Sequence, residues 1–340
     1  LHDALPIWEN NMNNGIALSV ALAVYAVLAS AVKADSSTMR KNVEAFNADD
    51  DEIYIETVPN AKAAEFLANN APLFECPDKQ LEKVYDFRWW TFRKHLRKTE
   101  DGWVITEFSP NVPWAAKHNV ISCAAGWHAR EGRWLKDDVF VRDYLKFILT
   151  KDGGARKYTF AAARAALDLS LARDRVGDTE FLSAIYPALK ENMRGWEKEH
   201  RDDPDGLFWQ TDNAEGQECS IAGAECSEKG SAAFKDYRFF SARGLRPGFN
   251  AHMYAEYDAL AKIAATLGAK GEAAEYAGKA ARLKELINTR LWNDAAKFYM
   301  TRSGEPGEKM TDVRELSGYV PWLFGVAPES AKEAWKQLTN

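Results

Sequence analysis

Apolar side chains recur at steps of three and four along most of the chain. Leu81, Tyr85, Trp89, Phe92 and Leu96 form one such stripe, and Leu182, Ile185, Leu189, Met193 and Trp196 form a second. Met253, Tyr257, Leu260, Ala264 and Leu267 continue the pattern. At 3.6 residues per turn each stripe is one face of an amphipathic helix. The same spacing, punctuated by Gly, Pro and Asp, predicts further helices over 115–130, 138–150, 156–174, 271–291 and 313–323. Extended stretches are confined to Trp103–Phe108 and Leu207–Thr211. The expected fold is all-α, with helices in antiparallel succession instead of alternating with strands. No period near 34 or 40 residues recurs, which counts against the common solenoids and favours a ring of helical hairpins.

The first 34 residues follow a different pattern. Ile16 to Val32 is an almost unbroken apolar run, shorter than the roughly 20 residues a spanning helix needs and suited to the core of a signal peptide. Small residues follow at Ala29-Ser30-Ala31 and Val32-Lys33-Ala34, where a signal peptidase would cut. The expectation is an exported protein, periplasmic or secreted, whose mature chain begins near Asp35. An uncleaved membrane anchor is the alternative, because Met12-Asn13-Asn14 carries no positive charge and Lys33 lies on the wrong side of the run. Residues 1–11 precede the natural start at Met12 and read as a non-native leader. That leaves 12–34 as signal peptide, 35–78 as a lead-in segment and 79–340 as the helical domain.

Charge and composition remove several functions. The chain has 340 residues, and Lys+Arg 44 against Asp+Glu 50 gives a net −6, which argues against a nucleic-acid partner. The four cysteines (Cys76, Cys123, Cys219, Cys226) form no CxxC pair, and the six histidines form no HExxH or i,i+4 pair. No metal site is expected. Cys219 and Cys226 are near enough in sequence for a local disulfide, with two inert thiols as the alternative. Twelve Trp are more indole than a core of this size needs. They are either packing units or flat apolar platforms for a ligand.

The candidate chemistry lies in the long connection between the helices ending near His200 and starting near Asn250. It carries Trp209 and eight carboxylates from Asp202 to Glu228; connections this long within a domain are commonly functional. Hydrolysis of a glycosidic bond needs one protonated carboxyl group for the leaving oxygen and a second carboxylate to activate water or attack the sugar. Burial near Trp raises a carboxyl pKa and fits it for the first role. By residue type Asp212 and Glu218 are equal candidates.

Asp205-Gly206-Leu207, then Gly216-Gln217-Glu218-Cys219-Ser220, then Arg246-Pro247-Gly248-Phe249-Asn250-Ala251 resembles the (α/α)6-barrel glycosidases, the group of mannosylglycerate hydrolase, trehalase and processing α-glucosidase I. Leu291-Trp292-Asn293-Asp294, Phe298-Tyr299 and Gly318-Tyr319-Val320-Pro321-Trp322 are similar to later elements of that group. The resemblance covers roughly residues 80–340. It implies an (α/α)6 toroid and an exo-acting, inverting glycosidase that needs no cofactor and takes a carbohydrate substrate. It puts Glu218 in the place of the family's acid, between Gly and Ser, although the family has Asp there. The family's base, a Glu, lies well beyond the Gly-Tyr-Val-Pro-Trp element, so it is expected past Asn340, with the chain a fragment of a longer barrel. The early helices and loops line the sugar pocket in that family, which makes Arg88, Trp89, Trp90, Arg93, Glu107, Trp114 and His118 candidate substrate contacts, together with Trp209 and Asn250. Asn250 is alternatively a helix cap. Two rival functions remain: a barrel that binds sugar without cleaving it, and a lyase or epimerase that uses Tyr237, His118 or His252 as a base.

Overall fold

In the computed structural model the described residues are 35–151, 159–173, 177–201, 206–211, 216–217, 220–222, 243–303 and 310–338. The apolar run 16–32 lies outside them; among the described residues no helix is long and apolar enough to cross a membrane. The fold is all-α. Helix α1 (Ser37–Ala48), α2 (Asn60–Asn70) and α3 (Lys79–Lys94) lead into the short antiparallel pair β1 (Leu96–Thr99) and β2 (Gly102–Ile105). Three hairpins follow: α4 (Ser122–Gly132) with α5 (Val139–Thr150), α6 (Ala162–Arg173) with α7 (Thr179–His200), and α8 (Pro247–Thr266) with α9 (Lys270–Arg290). The two-residue strand β3 (Gly244–Leu245) stands just ahead of α8.

In the second and third hairpins burial separates an inner helix from an outer one. Helix α8 buries residues on every side, among them Phe249, Asn250, Met253, Glu256, Tyr257 and Leu260. Helix α9 buries one stripe, Tyr276, Ala280, Leu283, Leu286 and Ile287. A helix surrounded by protein must be apolar all round, whereas one facing water needs only a stripe. Helix α6 is inner on the same grounds, whereas α4 buries a stripe of small residues, Ser122, Ala125, Gly126, Ala129 and Gly132, and packs against α6. At Gly126 of α4 an added Cβ would stand 2.6 Å from the Cβ of Ala161 and 2.8 Å from the carbonyl of Phe160. Helices α4, α6 and α8 contact one another in sequence, and each is followed by its hairpin partner. This is the hairpin order of an (α/α)6 toroid.

Short links join the two helices of each hairpin, and long ones lead into the next hairpin: 106–121 before α4, 151–161 before α6, and 201–246 before α8. After α9 come β4 (Trp292–Asn293), β5 (Phe298–Tyr299) and β6 (Arg302–Ser303), then a 3-10 turn over Leu316–Tyr319 and the short α10 (Val320–Leu323). Because successive helices run in opposite directions, the chain enters α4, α6 and α8 at the same end of the helical array.

The sequence expectations hold for α5, α7 and α9 within a few residues. Two stretches differ. Residues 115–121 form no regular helix: Lys117–Asn119 make a 3-10 turn in which His118 and Asn119 take left-handed backbone angles, φ 59° and 63°. The segment 313–323 is helical only from Leu316, as a 3-10 turn over Leu316–Tyr319 that runs into α10. The lead-in 35–78 contains α1 and α2, packed against α3 in a second apolar core of Met39, Val43, Phe46, Leu67, Trp89 and Trp90.

Candidate active site

The loop ahead of α8 is pinned at both ends. Pro247 starts the helix at a position where its missing N–H costs nothing. Asn250, fully buried one turn in, reaches back to the entering chain: its Oδ1 accepts from the Phe208 N–H (2.8 Å), and its Nδ2 donates to the carbonyls of Phe208 (2.8 Å) and Arg246 (2.9 Å). Asn250 is therefore neither a cap, since the cap position belongs to Arg246, nor a sugar contact. Gln210 and Gly244 exchange two backbone hydrogen bonds, and β3 pairs with β6, closing the neck of the loop. Trp209 packs at this neck, its ring 4.4 Å from that of His200 with the Arg243 guanidinium 4.0 Å from its centroid.

Glu218 and Asp212 lie outside the described residues, as do Tyr237, Cys219 and Cys226. The residues that flank Glu218 are described. An added Cβ on Gly216 (φ +77°) would stand 3.5 Å from Cys123 Sγ, so the loop lies against the first turn of α4. On the other side, Ser220 is buried and its hydroxyl donates to Glu315 Oε1 (2.9 Å) while accepting from Arg246 Nη1 (3.3 Å). The Ala222 N–H also donates to Glu315 Oε1, at 3.2 Å. Sequence reasoning missed Glu315, which sat unremarked in a stretch expected to be helical. No local signal marks it, because its partners are 93 and 95 residues away.

At the same end, Glu107 borders a cavity of about 620 Å³ with Asp50, Tyr54, Lys94 and His95. Burial raises the Glu107 carboxyl pKa, only partly offset by His95. Behind it His128 Nε2 is 3.5 Å away, and His128 Nδ1 meets the Tyr144 hydroxyl at 3.1 Å. An ionised Glu107 would favour imidazolium, but burial prevails and pushes His128 down to about 4. Burial likewise carries the Tyr144 phenol well above its ordinary value. His128 and Tyr144 are thus uncharged at neutral pH, and burial shifts Glu107 toward its neutral form. Trp114, exposed and edge-on to Phe108, stands at the rim of the same loop.

The other candidates are placed elsewhere. Trp89 and Trp90 are buried in the second core, and the Trp90 indole donates to Asn47 Oδ1. Arg93 is fully buried and bonds the carbonyl of Val58 and Oδ1 of Asn60. Arg88 pairs on the surface with Glu131. Trp89, Trp90 and Arg93 hold α3 against the lead-in segment; a stripe of aromatics and arginines looks the same in sequence whether it faces a core or a ligand. His118 Nε2 lies 2.9 Å from Asp101. Glu100, Asp101 and His118 would suit a cation, yet the Lys117 ammonium is already 2.5 Å from Asp101 and 2.9 Å from Glu100. His252 is walled in by Trp127, Phe160 and Phe324 and pushed down to about 3 by burial, which leaves it no path to a substrate.

Residues 117–340 match the mannosylglycerate hydrolase MGH1-like glycoside hydrolase domain. Among solved structures, a sialidase aligns with a TM-score of 0.78 at 32% identity, over 90% of this chain and 27% of that one. An uncharacterized conserved protein from Thermus thermophilus aligns with a TM-score of 0.48 at 18% identity, over 63% of this chain and 65% of that one. A GH63 mannosylglycerate hydrolase from the same organism, in complex with glucose, gives 0.42 and 17% over 52% of each chain. No curated protein matches.

Proposed function

This chain belongs to the mannosylglycerate hydrolase MGH1-like glycoside hydrolase family, and on that premise we propose that it is an exo-acting, inverting glycosidase with Glu218 as its general acid. The observation that supports this best is the match over 117–340, which includes the whole pinned loop ahead of α8. Glu218 is the general acid. It protonates the leaving oxygen while a second carboxylate draws a proton from water on the opposite face of the sugar, the two groups standing about 6.5–9.5 Å apart in enzymes of this type. Glu107 and Trp114, on a neighbouring connection, bind the sugar. A carboxyl group whose burial favours the neutral form can donate a hydrogen bond to a sugar oxygen, and an exposed indole offers a flat face to its C–H side. The substrate is an oligosaccharide or small glycoside, met after export.

The test is product analysis with the full-length protein on α- and β-linked glucosides, mannosides and galactosides and on a sialoside, the last because of the sialidase match. Proton NMR in the first minutes is expected to show release of a terminal sugar with its anomeric configuration inverted. Binding without release would favour a non-catalytic barrel, and an unsaturated or epimerised ring would favour a lyase or epimerase.

A further inference from the structure

We propose that Glu315 is a positioning residue for the acid: it clamps the chain at Ser220 and Ala222, two and four residues beyond Glu218 in sequence. The inference rests on the assignment of Glu218 made above. A general acid works only within hydrogen-bond reach of the leaving oxygen, and a displacement of about 1 Å can cost on the order of 100-fold in rate. Pinning at Gln210 and Gly244 alone would leave Glu218 inside a span of more than thirty residues. Glu315 shortens that span. One oxygen, Oε1, accepts from both the Ser220 hydroxyl and the Ala222 N–H, two and four residues beyond Glu218. Arg246, fully buried at the start of α8, donates to the other side of the same hydroxyl. Ser220 therefore sits between a guanidinium and a carboxylate, which fixes the direction of its O–H.

The clamp is itself held firmly. Glu315 opens the turn Leu316–Tyr319 and its carbonyl accepts from the Gly318 N–H at 2.9 Å. Gly318 is wedged so closely that a Cβ there would lie 2.3 Å from the Phe298 ring and 2.6 Å from the Tyr299 carbonyl. The turn is thus seated on β5, and Glu315 has little freedom to follow a shifting loop.

The experiment uses the full-length protein and three variants, Glu315→Ala, Glu315→Gln and Ser220→Ala, with Glu218→Gln as reference. Two readouts are taken: amide hydrogen exchange over residues 216–222, and kcat on a matched pair of glycosides of the hydrolysed sugar, phenyl and 2,4-dinitrophenyl. The dinitrophenolate leaves without a proton and so does not need a well-placed acid. Glu315→Ala is expected to speed exchange over 216–222 by about tenfold or more, and to lower kcat on the phenyl glycoside about 100-fold but on the dinitrophenyl glycoside less than about fivefold. Glu315→Gln keeps an acceptor oxygen and is expected to restore most of both. Should Glu315→Ala fail to fold, Ser220→Ala carries the same comparison with a smaller loss. Unchanged exchange, or an equal loss on both substrates, overturns the clamp. If Glu218→Gln itself shows no leaving-group dependence, the acid is misassigned and the catalytic inference falls with it, while exchange still reports whether Glu315 holds the loop.

Discussion

Replacing Asn250 by Ala removes the bracket that ties Phe208 to α8, and its cost can be worked out from three hydrogen bonds. The side chain is fully buried, and among the described residues the Phe208 N–H and carbonyl meet no other partner. The Arg246 carbonyl keeps its helical bond from the Asn250 N–H at 3.0 Å, so two groups are orphaned. At about 1–3 kcal/mol for each buried group left unsatisfied, the loss is about 4 kcal/mol, a large part of an ordinary domain's stability. Asn250→Asp separates geometry from charge. It preserves the acceptor for the Phe208 N–H but turns a carboxylate oxygen toward two carbonyls, which raises the folded-state pKa above the unfolded one. The stability this variant retains is then present at low pH and lost as pH rises through the raised value. Urea unfolding with unchanged m, followed at pH 7 and pH 4.5, measures both. A loss below about 1 kcal/mol in Asn250→Ala, or an Asp variant no more stable at the lower pH, would refute the reasoning.

Other consequences are equally direct. Gly126→Ala places a methyl against the Ala161 Cβ and the Phe160 carbonyl and is expected to lower stability by about 1–3 kcal/mol, read from urea unfolding, because backbone cannot yield as a side chain can. Glu256, fully buried, accepts from the N–H groups of Ala163 and Arg164, yet burial pushes its carboxyl up to about 7 from 4.5. Its raised pKa means the fold takes up a proton, so its contribution is whole below about pH 4.5 and declines as pH rises through 7; Glu256→Gln should flatten the stability profile there. His252 has the opposite sign: pushed down from 6.5 to about 3, its contribution is present above pH 6.5 and lost as pH falls toward 3. The amount is on the order of 5 kcal/mol, and His252→Leu should remove that acid-side slope in melts between pH 6.5 and 4.

The helices were legible where periodicity alone decides, as in α5 and α9, whose stripes need no distant partner. The failures have specific causes. Residues 115–121 have apolar spacing, but Asn119 accepts from the Val112 N–H and donates to the carbonyl of Phe108, and these contacts stabilise a left-handed turn instead. Helix α1 has only Met39, Val43 and Phe46 as its stripe, close behind the apolar run 16–32. The family was readable because motif order survives in one dimension. Arg93 and Asn250 looked like ligand contacts because a buried polar side chain and a sugar-binding one share the same chemistry. They are told apart only by partners 35 and 42 residues away, at Val58 and Phe208. Glu315 was invisible for the same reason.

The central claim is that Glu218 donates the proton. Hydrolysis of phenyl and 2,4-dinitrophenyl glycosides by Glu218→Gln and Asp212→Asn tests it most directly. The expected result is that Glu218→Gln loses about 10²–10⁴-fold on the phenyl glycoside and far less on the dinitrophenyl one, while Asp212→Asn shows no such divergence. Divergence in Asp212→Asn, or in neither variant, would contradict it.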